Sequence, residues 1–365
     1  MEQFQKIEIN RRSPNARPAI SRLIHRSIGC FLLLTLLAAS GCGTFLARRM
    51  AEAPNSYPTW LAPASHVFLS FDDKFLTNFP AHFADVGPPP ARLRYRIINP
   101  ADYHLTVTFT NWLKTGKTNV QFTFRADVPG PTNSWTAAPR GTVILLHGYG
   151  LAEFSMAPWA LRLGQEGWRC VLVDLRGHGK STGPIIYFGV QETRDLIQLL
   201  DQLEHRQDST PPVAVVGESY GAAIALRWRM ADPRVRNVVA IAPYAVLSNA
   251  MLNICHEYAP CLPKFVLRAG LKQLPSVLDV SPKELDTVTV LAKHPVPALF
   301  IAGSGDKVVP LPEVQELFAE SGQGSELVVV AGAAHETLPY YFNEIIPPTL
   351  AWLNTNILSR TPAPH

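Results

Sequence analysis

Charge of either sign is scarce in this chain: Asp, Glu, Lys and Arg together make up 17% of its 365 residues, against 47% hydrophobic residues. That balance excludes a polypeptide disordered throughout and suits one sizeable buried core. Excess positive charge is also missing from the body. The formal net charge of +4 is carried by Met1 to Gly41, where Lys6, Arg11, Arg12, Arg17, Arg22 and Arg26 outnumber Glu2 and Glu8. The remainder is neutral, so composition makes no case for a nucleic-acid partner. Cysteine is sparse at five residues, and no His or Cys cluster has metal-ligand spacing. No G-x-G-x-x-G follows the first buried-strand pattern, so no metal or nucleotide cofactor is inferred. Internal repeats and low-complexity tracts are absent.

What is present begins with a leader. Arg22, His25 and Arg26 precede the apolar run Ile28 to Ala39, followed by Ser40, Gly41 and Cys42. This resembles a bacterial lipoprotein leader, which implies cleavage before Cys42 and acylation of that residue, since more than one acyl chain makes a stable anchor. The alternative is a retained membrane anchor, because Ser27 to Ala47 carries no charge and is about long enough to span a bilayer. Either way the positive charges lie N-terminal to the apolar run, which places the body in the cell envelope, membrane-anchored, on the non-cytoplasmic side. Of the other cysteines, Cys30 falls in the leader and Cys170 ends an apolar run and reads as a buried residue. Cys255 and Cys261 are close in sequence, and export permits a disulfide between them, although spacing alone does not establish its geometry.

The chain divides into residues 1–41, a signal peptide or anchor; 42–90, a tether and packing segment; 91–358, one domain; and 359–365, a tail. From Arg92 the pattern is strand-like in Leu93 to Ile98, Leu105 to Phe109 and Val120 to Phe124, which together read as an antiparallel edge. Gly141 to Leu146 is an apolar run of the kind covered on both faces of a sheet. Strand and helix patterns then alternate. Helical stretches run around Met156 to Glu166, Glu192 to His205 and Tyr340 to Leu358. Strands follow at Val171 to Val173, Val213 to Val216, Val235 to Ile241, Pro297 to Ala302 and Glu326 to Val330. Alternation of this kind predicts an α/β fold with a mostly parallel sheet and helices on both faces.

Active groups in such a sheet gather just beyond the C-terminal strand ends. Four such places carry chemistry: His147-Gly148-Tyr149-Gly150, Asp174 to Ser181, Gly303-Ser-Gly-Asp306, and Ala331 to His335. The fifth is Gly217-Glu218-Ser219-Tyr220-Gly221, between a β-branched run and small helix-forming residues. A strand-to-helix joint that sharp leaves no room for bulk beside Ser219, which is why Gly217 and Gly221 flank it.

With these residues in order, from Thr142 to Leu353, the chain resembles an α/β-hydrolase, near the serine aminopeptidase and monoacylglycerol lipase-like branch. The resemblance implies a triad of Ser219, Asp306 and His335, and a small helical cap at about residues 244–294. It also implies an oxyanion site built from the backbone N–H groups of Tyr149 and Tyr220. A serine hydroxyl needs a base, here His335, the only histidine between Asp306 and His365. Asp306 would orient that base, although Asp is also a preferred helix cap. His147 and His178 precede the nucleophile in chain order and read as structural, with ring nitrogens satisfied locally. Asp174 and Arg176 resemble the family's loop-stabilising residues after this strand, which implies the same role here.

These readings predict an exported, membrane-tethered serine hydrolase acting on a small or lipid-like ester. The rivals are a serine aminopeptidase or amidase, which needs an anionic group such as Glu257 or Glu284 in the cap, and a non-catalytic envelope protein that keeps the fold. The cap's apolar residues, among them Met251, Leu252, Ile254 and Tyr258, would suit an acyl group or simply pack the cap onto the body.

Overall fold

A strand covered on both faces reads as a near-continuous apolar run, and Thr142–Leu146 (β6) and Val213–Glu218 (β8) are buried along their whole lengths. In this computed structural model, which describes residues 42–56, 67–71, 74–114, 117–129 and 137–358, these two strands lie side by side. They are joined by Arg169–Val173 (β7), Val235–Ile241 (β9), Leu299–Gly303 (β10) and Glu326–Val330 (β11) in a parallel run. Ala81–Val86 (β2) and Ala91–Ile98 (β3) extend it antiparallel, giving eight strands in the order β11-β10-β9-β8-β6-β7-β3-β2. This is the α/β architecture that the strand–helix alternation predicts.

Neighbouring side chains on one strand point to opposite faces. Ile144 and Leu146 enter the core on one face, while Val143 and Leu145 enter the core on the other. The first face is covered by Val190–His205 (α3), Tyr220–Ala231 (α4), Leu247–Tyr258 (α5), Lys264–Leu278 (α6), Thr287–Lys293 (α7) and Leu311–Ala319 (α8). The second carries Ala157–Gln165 (α2) and Phe342–Leu358 (α9). The small residues Gly221, Ala222, Ala223 and Ala225 let α4 lie directly on the sheet behind Ser219, and every residue from Tyr220 to Trp228 is buried.

Three expectations are corrected. First, the N-terminal strands do not form one edge. β3 joins the main sheet, whereas His104–Lys114 (β4) and Lys117–Asp127 (β5) pair with each other and with Val67–Phe71 (β1) in a second sheet. The hairpin has its own apolar face, with Phe122 and Phe124 against Tyr340, and so needs no place beside β3.

Second, the segment read as tether and packing already packs at its first residues. Cys42–Ala51 (α1) is a helix packed along α6. Gly43 approaches so closely that a Cβ there would lie 2.8 Å from the Ala269 carbonyl, and one at Gly270 would lie 2.8 Å from Leu46. Ala47, Met50 and Ala51 enter the main core.

Third, Cys255 and Cys261 are free thiols. Cys255 turns its side chain toward the core from α5, while Cys261 is exposed beyond the end of that helix. The leader and the tail lie outside the described residues. Among the described residues no helix is long and apolar enough to cross a membrane.

Candidate active site

Ser219 sits at the joint of β8 and α4 with φ 50° and ψ −107°, a conformation that costs a non-glycine residue about 1–3 kcal/mol. The surroundings enforce it. A Cβ on Gly217 would lie 2.3 Å from the Gly221 carbonyl oxygen, and one on Gly221 would lie 2.3 Å from that of Leu146. The Ser219 N–H donates to the Ile241 carbonyl at 2.7 Å, which pins the turn to β9.

His335 arrives from the loop after β11, and its Nε2 lies 3.0 Å from Ser219 Oγ. Its Nδ1 lies 2.7 Å from Asp306 Oδ2, in the turn after β10. A carboxylate only accepts, so the Nδ1 hydrogen donates to Asp306 and Nε2 is free to accept from the serine. The other carboxyl oxygen of Asp306 accepts from the N–H groups of Val308 and Val309, at 2.8 and 2.7 Å. Asp306 thus orders its own turn and holds the imidazole at once. The two loops are laced together, Gly305 N–H to Ala333 O at 3.1 Å and Gly332 N–H to Ser304 Oγ at 2.8 Å. Residues more than a hundred positions apart in sequence are brought into one hydrogen-bonded line.

Tyr220 opens α4, where the first helical N–H groups have no partner inside the helix. Tyr149 lies in the turn after β6, and the two rings meet edge to face with centroids 6.1 Å apart. His147 and His178 sit behind them. Leu175 N–H donates to His147 Nε2 at 3.1 Å, so the Nδ1 hydrogen of His147 donates to the Gly148 carbonyl at 2.8 Å. Burial lowers His147 to about 4 and His178 to about 3, so both are neutral. His178 Nδ1 donates to the Arg176 carbonyl at 2.8 Å, while its buried Nε2 has no hydrogen-bond partner, so only one of its ring nitrogens is satisfied. Asp174 accepts from Glu153 and Lys180 N–H groups, and Arg176 forms a two-pronged pair with Asp195 at 2.6 and 2.9 Å. Both tie down the loop after β7.

Sequence reasoning missed Glu218. It is buried immediately before Ser219, its Oε2 lacks a hydrogen-bond partner, and burial pushes its carboxyl up to about 7, an effect that nearby His335 partly offsets. The only signal was its identity at the variable position of the elbow. Of the two cap carboxylates that the aminopeptidase reading names, Glu284 is occupied by its own helix start, accepting from Ser281 N–H at 2.8 Å. Glu257 is half-buried on α5.

Two cavities lie outside the triad itself, neither lined by Ser219, Asp306 or His335. One, of about 470 Å³ at the cap, is lined mainly by polar side chains, among them Asn249, Asn253, His256, Arg268 and Glu313. The apolar cap residues Met251, Leu252, Ile254 and Tyr258 pack against the body. The larger, of about 910 Å³, lies under the β4–β5 hairpin and is lined by apolar side chains such as Val107, Phe109 and Phe122 together with the polar Arg162, Asn343 and Glu344. Thr337, two residues beyond His335, also lines it. Among the described residues no three His, Cys, Asp or Glu side chains are grouped so as to hold a metal ion.

A doubly covered parallel sheet, a strained serine elbow and loops carrying acid and histidine at the next strand ends define the class by its architecture: the chain has the α/β-hydrolase fold. Within it, residues 137–290 match the family described as "Serine aminopeptidase, S33". The chain is 24% identical over 213 residues to the uncharacterized protein YqkD of Bacillus subtilis, spanning 55% of this chain and 67% of that protein. It is 25% identical over 244 residues to a pimeloyl-[acyl-carrier protein] methyl ester esterase of Xylella fastidiosa, spanning 56% of this chain and 91% of the relative. A shorter match, 30% over 124 residues, covers 49% of the uncharacterized protein RP471 of Rickettsia prowazekii and 32% of this chain. Among solved structures, the Pyrococcus furiosus esterase Pf2001 superposes with a TM-score of 0.53 at 20% identity, covering 80% of this chain and 96% of the esterase.

Proposed function

We propose that the protein is a serine hydrolase that cleaves carboxylic esters through an acyl-enzyme at Ser219, exported and tethered to a membrane through Cys42. One observation carries the chemical reading: the continuous pair of hydrogen bonds from Ser219 through His335 to Asp306, 3.0 and 2.7 Å long. Ser219 Oγ attacks the ester carbonyl carbon as its proton passes to His335 Nε2. Asp306 accepts from Nδ1–H and stabilises the imidazolium. The oxyanion is met by the backbone N–H groups of Tyr149 and Tyr220, donors already in position before the charge develops. When the bond to the leaving alkoxide breaks, His335 returns the proton to it and the alcohol departs. Water then attacks the acyl carbon, giving a proton to His335, and collapse releases the carboxylic acid and restores the serine hydroxyl.

An ester substrate is supported by the methyl ester esterase among the relatives. A hydrophobic acyl portion is supported by the apolar side, Val107, Phe109 and Phe122, of the groove that reaches Thr337 in the His335 loop. The family description favours a second reading, aminopeptidase or amidase activity. It is weakened by the engagement of Glu284 in its own helix cap, which leaves one fewer carboxylate for an ammonium group.

Turnover of aryl esters of increasing acyl length, beside matching anilides, separates these readings. The full chain should prefer esters, and Ser219→Ala should lose a factor of roughly 10³ or more in kcat. Equal rates for the two proteins would end the serine mechanism, and faster anilide cleavage would favour the amidase. Metabolic labelling with a tagged fatty acid should mark the full chain and fail with Cys42→Ser.

A further inference from the structure

Helices α1 and α6 lie side by side and bury one flank each, so their outer flanks form a single face. Phe45 on α1 is 51% exposed and Phe265 on α6 is 70% exposed, the latter the most exposed of the large hydrophobic residues described. Both are exposed, as are Arg48, Lys264, Arg268 and Lys272, of which Lys264 and Arg268 stand at the rim of the polar cap cavity. Neither helix contains an acidic residue. Arg49 is paired with Glu52, which leaves four basic side chains around two projecting aromatic rings. Apolar rings ringed by Lys and Arg on helices lying in one plane are the pattern of an interfacial surface.

The occupant follows from the chain itself. The stretch preceding α1 is the apolar run Ile28 to Ala39, and only Ser40 and Gly41 separate it from Cys42, the first residue of the helix. No flexible spacer intervenes between Cys42 and the packed helix, since Gly43 already touches α6 and Ala47 is fully buried. Whatever holds Cys42 therefore holds α1, and through it α6 and the cap, at a fixed distance.

Resting on the tether reading above, we infer that the α1–α6 face lies on the bilayer surface, with Phe45 and Phe265 in the interface and Arg48, Lys264, Arg268 and Lys272 against anionic headgroups. The anchor then sets an orientation as well as a location. The cap helices are apposed to the lipid, and the enzyme works at the membrane surface rather than at the end of a free leash.

The test places a nitroxide on the full chain in vesicles of phosphatidylcholine and phosphatidylglycerol, using a Cys255→Ser, Cys261→Ser background. Phe45→Cys and Phe265→Cys carry the label in turn, and Glu320→Cys, exposed just past α8, serves as the aqueous reference. At positions 45 and 265 collisions with oxygen should exceed those with a water-soluble nickel chelate, and at 320 the ratio should invert. A chain that floats with the vesicles while 45 and 265 behave like 320 overturns the membrane face and leaves the tether standing. A chain that does not float ends the tether reading and this inference with it.

Discussion

The strand-end loops and the cap layer solve different problems with different materials. At the strand ends, Ser219, Asp306 and His335 are held by backbone: Ser219 N–H on β9, two N–H groups on Asp306, and loop-to-loop bonds between Gly305 and Ala333. Tolerance there is nil, since a single methyl at Gly217 would lie 2.3 Å from a carbonyl oxygen. The cap and α1 are instead helices seated by side chains, with exposed aromatics and a polar cavity. Groups that need sub-ångström placement rest on the sheet, while the proposed membrane face and substrate selection fall to layers that can vary at small cost.

Four changes would break or sharpen that contrast, in descending order of effect. Asp306→Asn should leave the fold in place and lower kcat by roughly 10³ to 10⁴, because the amide stabilises no imidazolium and favours the wrong tautomer. A pH–rate profile beside thermal melting distinguishes this from unfolding, and a mild effect on kcat would remove Asp306 from its role.

Glu218→Gln addresses the weak point of the strand-end region, a buried carboxyl with an unpartnered oxygen. Because burial raises it from 4.5 to about 7, the folded protein keeps a proton that the unfolded chain has released. Stability is therefore lost as pH rises between those values. The glutamine variant should match the parent near pH 4 and exceed it by up to about 3 kcal/mol near pH 8, read by denaturant unfolding at both values. An equal difference at both pH values would sink this account.

In the cap layer, Gly43→Leu would push α1 off the Ala269 carbonyl. The expected cost is about 1–3 kcal/mol, with kcat for a soluble ester unchanged. A loss of activity as large as that of the triad variant would mean that the two regions are not separable. The smallest effect belongs to the hairpin groove. Val107→Asn should raise KM for long-chain esters about five- to tenfold, in keeping with roughly 1–1.5 kcal/mol of lost apolar contact. Short-chain esters should be unaffected.

Legibility from sequence follows the same division. The buried strands announced themselves because a strand covered on both faces is apolar almost throughout, and the elbow because only glycines fit beside Ser219. Asp306 and His335 were found by chain order at strand ends, a rule that follows from parallel topology. Glu218 was invisible, since nothing in a one-dimensional string separates a buried carboxylate from a surface one. The β4–β5 hairpin was read as strands but joined to the wrong sheet, because alternation sets which face is apolar and says nothing about what covers it. Helix α1 was not picked out within the tether and packing segment, because ten residues carry too little periodicity to outweigh their neighbours.

By itself, then, the sequence determined the alternation of strands and helices, the glycine-flanked serine and the order of the three groups around it. Local patterns dictate each of these. Tertiary structure alone decided that the Asp306 and His335 loops dock on each other, and that Cys255 and Cys261 stay apart. It also decided that the larger groove lies under the hairpin instead of the cap, and that the helix starting at Cys42 lies along α6. Each of these depends on contacts between residues distant in the chain, whose energies come from packing and burial that only the assembled core supplies.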